Sequence, residues 1–451
     1  MQKPPRQIDD AHPYLPVDLV QESMEQAGVE LAEAKDINFE DTETAFRYKS
    51  NAQLKRALTL LKSIQNSFLV NIGPGLVNFA LRNGFPIKGM LRTYFFDQFC
   101  GGTDLEDTQE TITNLYLHGC RSVLDFAVEA EKTEAGFDRV FDEVSNLLDF
   151  AKAHDEVAFV AAKMTGLGNF NLMAKKQAGK PLSKLEKEAW ARMEERLETL
   201  CEKAANIGQS IYIDAEESWI QDEVDRMVER MMMRYNKEAP IVYTTVQMYR
   251  HDRLQYLKEL FRKIRLQQAI PGVKLVRGAY LEKENERAQK KGYPTPMQPT
   301  KYRTDRDFDK ALRYIIERAE NFGVCIGSHN EYSSLLAVQL MNEQKVLPDN
   351  PNIYFSQLYG MGDHISFNLA KEGFNVAKYL PYGPIQNAVP YLFRRAQENS
   401  SVKGQSSREL ELIRRELDRR ATYSTFSKFD RPAQAQLPEP PSKKRERTQD
   451  E

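Results

Sequence analysis

The sequence predicts a (β/α)8 barrel preceded by a helical extension, and three observations predict it. From about Cys120 onward, eight short apolar, β-branched runs alternate with longer amphipathic stretches. Each run is continuously apolar rather than alternating, the texture of parallel strands covered on both faces. No GxGxxG follows any of the runs, which argues against the open doubly wound sheet that shares the same βα texture.

The runs are RSVLDFAV (121–128), EVAFVAAKM (156–164), SIYIDAE (210–216), PIVYTTVQMY (240–249), VKLVRGAY (273–280), GVCIGSHN (323–330), NIYFSQLYG (352–360) and NVAKYLPYG (375–383). Helical stretches between them include LSKLEKEAWARMEERLETLCEKAANIG and DKALRYIIERAENFG, whose final Gly323 suits a C′ stop. Upstream, from Asn38 to Phe99, the three- and four-residue spacing in LKRALTLLKSIQNSFLVNI and LVNFALRNGF predicts two helices separated at Gly73-Pro74-Gly75. Downstream of Pro432 the chain is Pro-rich and then charged, so it reads as disordered, and its KKRER run reads as a solvated tail rather than a localisation or lipid-binding patch. The expected division is an N-terminal segment (1–37), a helical extension (38–115), the catalytic barrel (116–430) and a disordered tail (431–451).

Composition narrows the function. With 63 basic against 65 acidic side chains, bulk charge gives no support to nucleic-acid binding, and 41% hydrophobic residues suffice for a sizeable core. Four scattered cysteines without a CxxC read as buried thiols in a reducing compartment. Six histidines make no HxxxH or HxH pair, so no metal site is expected. The opening MQKPPRQIDDAHPYLP resembles neither a signal peptide nor a transit peptide. No apolar run approaches the roughly 18–20 residues that span a bilayer. The expectation is a soluble intracellular protein: cytoplasmic, with peripheral contact at the inner membrane if bacterial, or mitochondrial with its targeting segment absent.

Barrel function sits at the C-terminal ends of the strands. Lys163 ends the second run, Asp214 with Glu216 and Glu217 the third, and Gln247 with Tyr249 the fourth. Arg277 and Tyr280 end the fifth, His329 and Asn330 the sixth, Gln357 the seventh, and Tyr379 with Tyr382 the eighth. Apolar strands that repeatedly finish in charged or hydrogen-bonding residues predict a polar pocket at one mouth; the bland alternative is that such residues mark where strands meet solvent. Beyond the eighth run, PYLFRRAQEN (390–399) opens a helix at its proline. Tyr391, Arg394 and Glu398 share a face of it. The adjacent Arg394 and Arg395 suit a small carboxylate, because guanidinium forks grip carboxylates in a bidentate, charge-assisted way, and Glu398 would orient Arg394.

VKLVRGAYLEKE (273–284), GSHNEYS (327–333), SQLYGMGD (356–363) and KYLPYGP…PYLFRRAQENSS (378–401) stand in an order and spacing that resemble the proline dehydrogenase family. IDAEES (213–218) and TTVQMY (244–249) match as well, and the resemblance covers about residues 40–425. The YGP and RRAQENSS wording is similar to the monofunctional, eukaryote-like branch. The resemblance implies a distorted (β/α)8 barrel of TIM type holding non-covalent FAD. The implied reaction oxidises L-proline to Δ1-pyrroline-5-carboxylate by hydride transfer to flavin N5. Electrons then pass to a quinone, with transient contact at a membrane surface.

Residue by residue, the resemblance implies that Arg394 and Arg395 grip the proline carboxylate and that Lys163, Asp214, Tyr280, Tyr379 and Tyr391 enclose the ring. It places Gln247, Lys274, Arg277, Gly278, Ala279, Thr304, His329 and Asn330 against the FAD. Two positions depart from the pattern: Lys274 stands where many bacterial members have Arg, and Leu281 replaces the Trp that follows GAY in some bifunctional members. Glu129 or Glu131 is a candidate partner for an arginine in a closing ion pair. Competing readings are a 4-hydroxyproline dehydrogenase, which Tyr379 opposes by crowding the substituted ring carbon; a Schiff-base aldolase or lyase using Lys163; and a barrel that only binds.

Overall fold

In the computed structural model, residues 37–64, 89, 92–127, 131–385, 388 and 403–426 are described. The 1–36 stretch, the Gly73-Pro74-Gly75 break with the second extension helix, the 390–399 helix and the tail lie outside the described residues.

The β-branched runs become β1 (Cys120–Phe126), β2 (Val157–Lys163), β3 (Ser210–Asp214), β4 (Val242–Gln247), β5 (Gly272–Val276), β6 (Gly323–Gly327), β7 (Ile353–Leu358) and β8 (Val376–Tyr382). Each strand pairs in parallel with the next, and β8 closes on β1 from Cys120–Val376 to Phe126–Tyr382. The barrel is therefore closed, as the eight runs predict. Several strands stop short of their runs: β5 ends at Val276, so Arg277 to Tyr280 belong to the loop that follows.

Aromatic side chains fill the barrel interior. Phe159 stacks on Tyr212 with ring centroids 4.2 Å apart, and its edges meet Tyr243 at 5.4 Å and Tyr354 at 4.9 Å. Rings this large and this closely packed leave no through-channel. Within the barrel, the space lined by functional residues lies at the C-terminal mouth.

Helices α1 (Thr42–Phe46), α2 (Asn51–Ile64) and α3 (Leu105–Leu117) precede β1. The helices between strands are α4 (Glu134–Ala153), α5 (Phe170–Gln177), α6 (Lys184–Ile207), α7 (Ser218–Tyr235), α8 (Arg253–Leu266), α9 (Leu281–Lys291), α10 (Lys301–Ile316), α11 (Glu331–Glu343) and α12 (Asp363–Lys371), and α13 (Lys403–Phe426) follows β8. Local chemistry explains their limits. Ser183 and Glu186 form a reciprocal capping box on α6, and Gly208 ends that helix in the left-handed region at φ +72°. Gly323 is not a helix stop. Helix α10 ends at Ile316, a 3-10 turn spans Ala319–Asn321, and Gly323 opens β6, where a Cβ would lie 2.5 Å from the Pro240 ring. A glycine demanded by close packing and one demanded by a cap look alike in sequence.

Helices α1 and α2 share a core with α13 rather than forming a separate layer: Phe46, Leu54 and Leu61 pack with Leu410, Leu412 and Ile413. Thr42 donates to Glu416 at 3.0 Å, and Arg420 donates to the carbonyls of Phe46 and Lys49, both at 2.8 Å. Asp363 fastens this assembly to the barrel, accepting from Tyr48 and Lys49 at 2.9 Å and pairing with Lys378 of β8 at 2.8 Å. Burial opposes the Asp363 charge, but the Lys378 and Lys49 ammonium groups hold its carboxyl well below the usual carboxylate range. All four cysteines are buried free thiols, as their spacing predicts.

Candidate active site

A cavity of about 550 Å³ occupies the C-terminal mouth above the aromatic layer. Its floor is a set of alternating charges carried by β1, β2, β3 and β5. Lys163 of β2 donates to both oxygens of Asp125 of β1, at 2.6 and 2.8 Å. Lys274 of β5 donates to Asp214 Oδ1 of β3 at 2.5 Å, and Tyr379 of β8 donates to Asp214 Oδ2 at 2.6 Å. The Lys274 ammonium also lies 4.3 Å from the Tyr379 ring centroid. Burial works against the Asp214 charge, yet the nearby ammonium groups of Lys274 and Lys163 more than offset it, and the carboxyl sits below its ordinary value.

Behind this floor, Glu216 is buried and accepts from the Thr165 amide at 3.1 Å and hydroxyl at 2.6 Å. Burial dominates over those bonds and pushes its carboxyl up to about 7. Gln247 of β4 is held by its amide nitrogen on the Glu216 carbonyl at 3.0 Å. Its buried Oε1 lines the cavity wall and has no hydrogen-bond donor among the described residues.

On the far wall, Arg277 is clamped by Asp305 at 2.6 Å, Ser328 at 2.8 Å and Ser333 at 2.9 Å, with its guanidinium 4.3 Å over the Phe308 ring. Gly278 follows at φ +126°, and a Cβ there would come within 2.5 Å of the Tyr249 ring, so only glycine lets the chain turn here. Asn330 caps α11 by accepting from the Ser333 amide at 3.0 Å, and the Leu358 amide donates to His329 Nε2 at 3.3 Å. The mouth of β6 is thereby joined to β7.

Of the residues singled out from sequence, Lys163, Asp214, Tyr280 and Tyr379 share one cavity with Gln247, Lys274, Arg277, Gly278, Ala279, His329 and Asn330. Thr304 is elsewhere: it is buried on α10, its hydroxyl 3.5 Å from the Thr300 carbonyl, while Lys301 one turn earlier reaches the cavity. Glu131 pairs with Arg139 at 2.6 Å. Glu129, Tyr391, Arg394, Arg395 and Glu398 lie outside the described residues.

Sequence reasoning missed several charged or polar cavity residues, Asp125, Lys301, His364 and Arg408 among them. Asp125 lies inside the apolar run RSVLDFAV, and the available signal was a lone acid one residue before its strand ends. Arg408 lies on α13, a charged helix with no motif, so no signal in the sequence directs it to the cavity. The floor can orient a small zwitterion, and the outer wall can take a larger, anionic group.

The family model described as Proline dehydrogenase matches residues 108–408, more than half of the chain. The chain belongs to the proline dehydrogenase family. Among curated relatives, the chain is 35% identical over 333 residues to the carbapenem antibiotics biosynthesis protein CarD of Pectobacterium carotovorum subsp. carotovorum, covering 74% of this chain and 86% of that one. It is 30% identical over 430 residues to the mitochondrial proline dehydrogenase 1 of Dictyostelium discoideum, covering 84% and 74%. The human mitochondrial proline dehydrogenase 1 is 38% identical over 245 residues, 54% of this chain and 40% of that protein. Among solved structures, proline utilization A from Bdellovibrio bacteriovorus superposes with a TM-score of 0.64 at 17% identity over 87% of this chain. This proline dehydrogenase family member spans less than half of that longer protein, 44% of its length. At that identity the likeness concerns the fold.

Proposed function

We propose that this protein oxidises L-proline to Δ1-pyrroline-5-carboxylate with bound FAD and passes the electrons to a quinone. One observation carries the reading: of the described residues, those expected around a proline ring and, Thr304 apart, those expected around a flavin line a single cavity at the C-terminal mouth.

The cavity suits FAD on its own chemistry. Gln247 Oε1 is a buried acceptor awaiting a donor, the role a flavin ring N–H fills. Arg277 and Lys301 on the outer wall share a single carboxylate, Asp305, so positive charge there suits an anionic dinucleotide. Gln247, Lys274, Arg277, the Gly278–Ala279 backbone, His329 and Asn330 would hold it. FAD supplies the two-electron acceptor for the hydride leaving the ring carbon beside nitrogen.

The protein supplies binding, orientation and charge. Arg394 and Arg395 would take the substrate carboxylate. Asp214, fixed from two sides, holds Tyr379 still, so the phenol forms a rigid wall for the ring. Hydride loss requires a neutral amine, and cations near the ring oppose a further positive charge. Lys163 and Lys274 are each balanced by a carboxylate, which leaves Arg394 and Arg395 as the main source of that bias.

The test is spectroscopic. Protein reconstituted with FAD should be yellow and should lose its flavin absorbance anaerobically on adding L-proline. Failure to take up FAD, or flavin that L-proline leaves oxidised, defeats the reading. Among the described residues no helix is long and apolar enough to cross a membrane; contact with a quinone pool is proposed to be peripheral, in a bacterial or mitochondrial setting. The likeness to CarD favours a second reading, in which the same ring oxidation serves a biosynthetic route. Hydroxyproline as the better substrate is the remaining rival.

A further inference from the structure

Arg408 belongs to α13, outside the barrel, yet it lines the same cavity as His329 and Asn330. It is held there because the helix beneath it is fixed. Leu410, Leu412 and Ile413 pack with the N-terminal helices, and the neighbouring Glu409 accepts from the Gly362 amide at 3.1 Å. The Arg408 Nε donates to Glu331 Oε1 at 3.1 Å, and one terminal nitrogen donates to Glu40. The other terminal nitrogen has no hydrogen-bond partner among the described residues. Glu331, shared with His364 at 3.0 Å, is the first residue of the 13-residue α11, whose cap Asn330 and preceding Ser328 and His329 also line the cavity. A guanidinium nitrogen left over beside a helix N-terminus is a ready anion ligand. In FAD the strongly anionic part is the pyrophosphate.

We propose that Arg408 binds the FAD pyrophosphate, so that the C-terminal helix is part of the cofactor site and not only a brace for the N-terminal helices. This inference rests on the FAD reading above. A pure brace would need Glu331 and Glu40 but no place in the cavity wall.

The experiment titrates the full-length apoprotein with FAD and, separately, with riboflavin, which has the same ring and no phosphate, reading the quenching of flavin fluorescence. Arg408→Met should raise the Kd for FAD by at least about tenfold and leave riboflavin unchanged, with Arg408→Lys in between. Phosphorus NMR of FAD bound at saturating concentration should show shifted pyrophosphate resonances in Arg408→Met, with the visible flavin spectrum unaltered. Unchanged FAD affinity, equal weakening of FAD and riboflavin, or pyrophosphate resonances identical to wild type would overturn the assignment. A wild-type protein that binds neither flavin would instead defeat the FAD reading itself.

Discussion

Tyr379 on β8 and Asp214 on β3 meet across the barrel mouth through a 2.6 Å hydrogen bond, and Lys274 on β5 takes the other Asp214 oxygen. One carboxylate therefore ties together three strands that are not neighbours in the barrel.

That bond can be removed without emptying the site. Tyr379→Phe should cost about 1–2 kcal/mol in denaturant unfolding, the penalty for losing one charge-assisted bond. Asp214 has a lowered carboxyl, so its stabilisation is present above the unfolded value and is lost as pH falls through the folded one. Losing the phenol raises the folded value, and acid unfolding should begin at higher pH. Tyr379→Ser goes further and opens the wall: the ratio of kcat/KM for hydroxyproline over proline should rise roughly tenfold. An unchanged ratio would show that Tyr379 does not touch the ring.

Gly278 is constrained twice, by φ +126° and by the Tyr249 ring 2.5 Å from any added Cβ. Gly278→Ala should destabilise the protein by about 2–4 kcal/mol and weaken FAD uptake, measured by thermal unfolding and by flavin content. Adding Tyr249→Ala should restore part of the loss, because it removes the clash and leaves the strained torsion.

Glu409 is buried on α13, close to Asp363, His364, Lys49 and Lys378. Burial first, and then the Asp363 charge, push its carboxyl up to about 7. A raised carboxyl favours the protonated form in the fold, so its contribution is full below the unfolded value, falls as pH rises toward 7 and is flat beyond. Glu216 behaves alike, also at about 7. Unfolding free energies from pH 4 to 8 should therefore decline less steeply in Glu409→Gln than in wild type. Parallel curves would show that Glu409 is already ionised in the fold at low pH.

Arg394→Met and Arg395→Met should each weaken L-proline binding by about 3 kcal/mol, since a carboxylate out of water loses a charge-assisted partner. FAD content and melting temperature should hold. Titration with a non-reducing proline analogue measures this directly, and wild-type affinity in both variants would place the carboxylate elsewhere.

The barrel was legible because its signal is local. Eight apolar runs such as VKLVRGAY and GVCIGSHN each declare a strand buried on both faces, and their count fits a closed sheet. The polar strand ends were legible for the same reason: Lys163, Asp214 and Gln247 each follow directly from where a strand stops. What stayed hidden depends on distance through space. Asp125 reads as one acid in an apolar run until Lys163 from the next strand clasps it. Gly323 reads as a helix stop until Pro240 is seen against it. Arg408 and Asp363 are single letters in charged or mixed segments, and only the closure of α13 and the N-terminal helices onto the barrel gives them partners more than 300 residues away in Glu40 and Lys49. Sequence alone determined the strands, their order and the chemistry at their ends, because hydrophobic period and strand boundaries are properties of neighbouring residues. The tertiary structure decided which charges neutralise one another and which remain for a ligand, because electrostatic pairing in a buried site depends on ångströms that no spacing along the chain records.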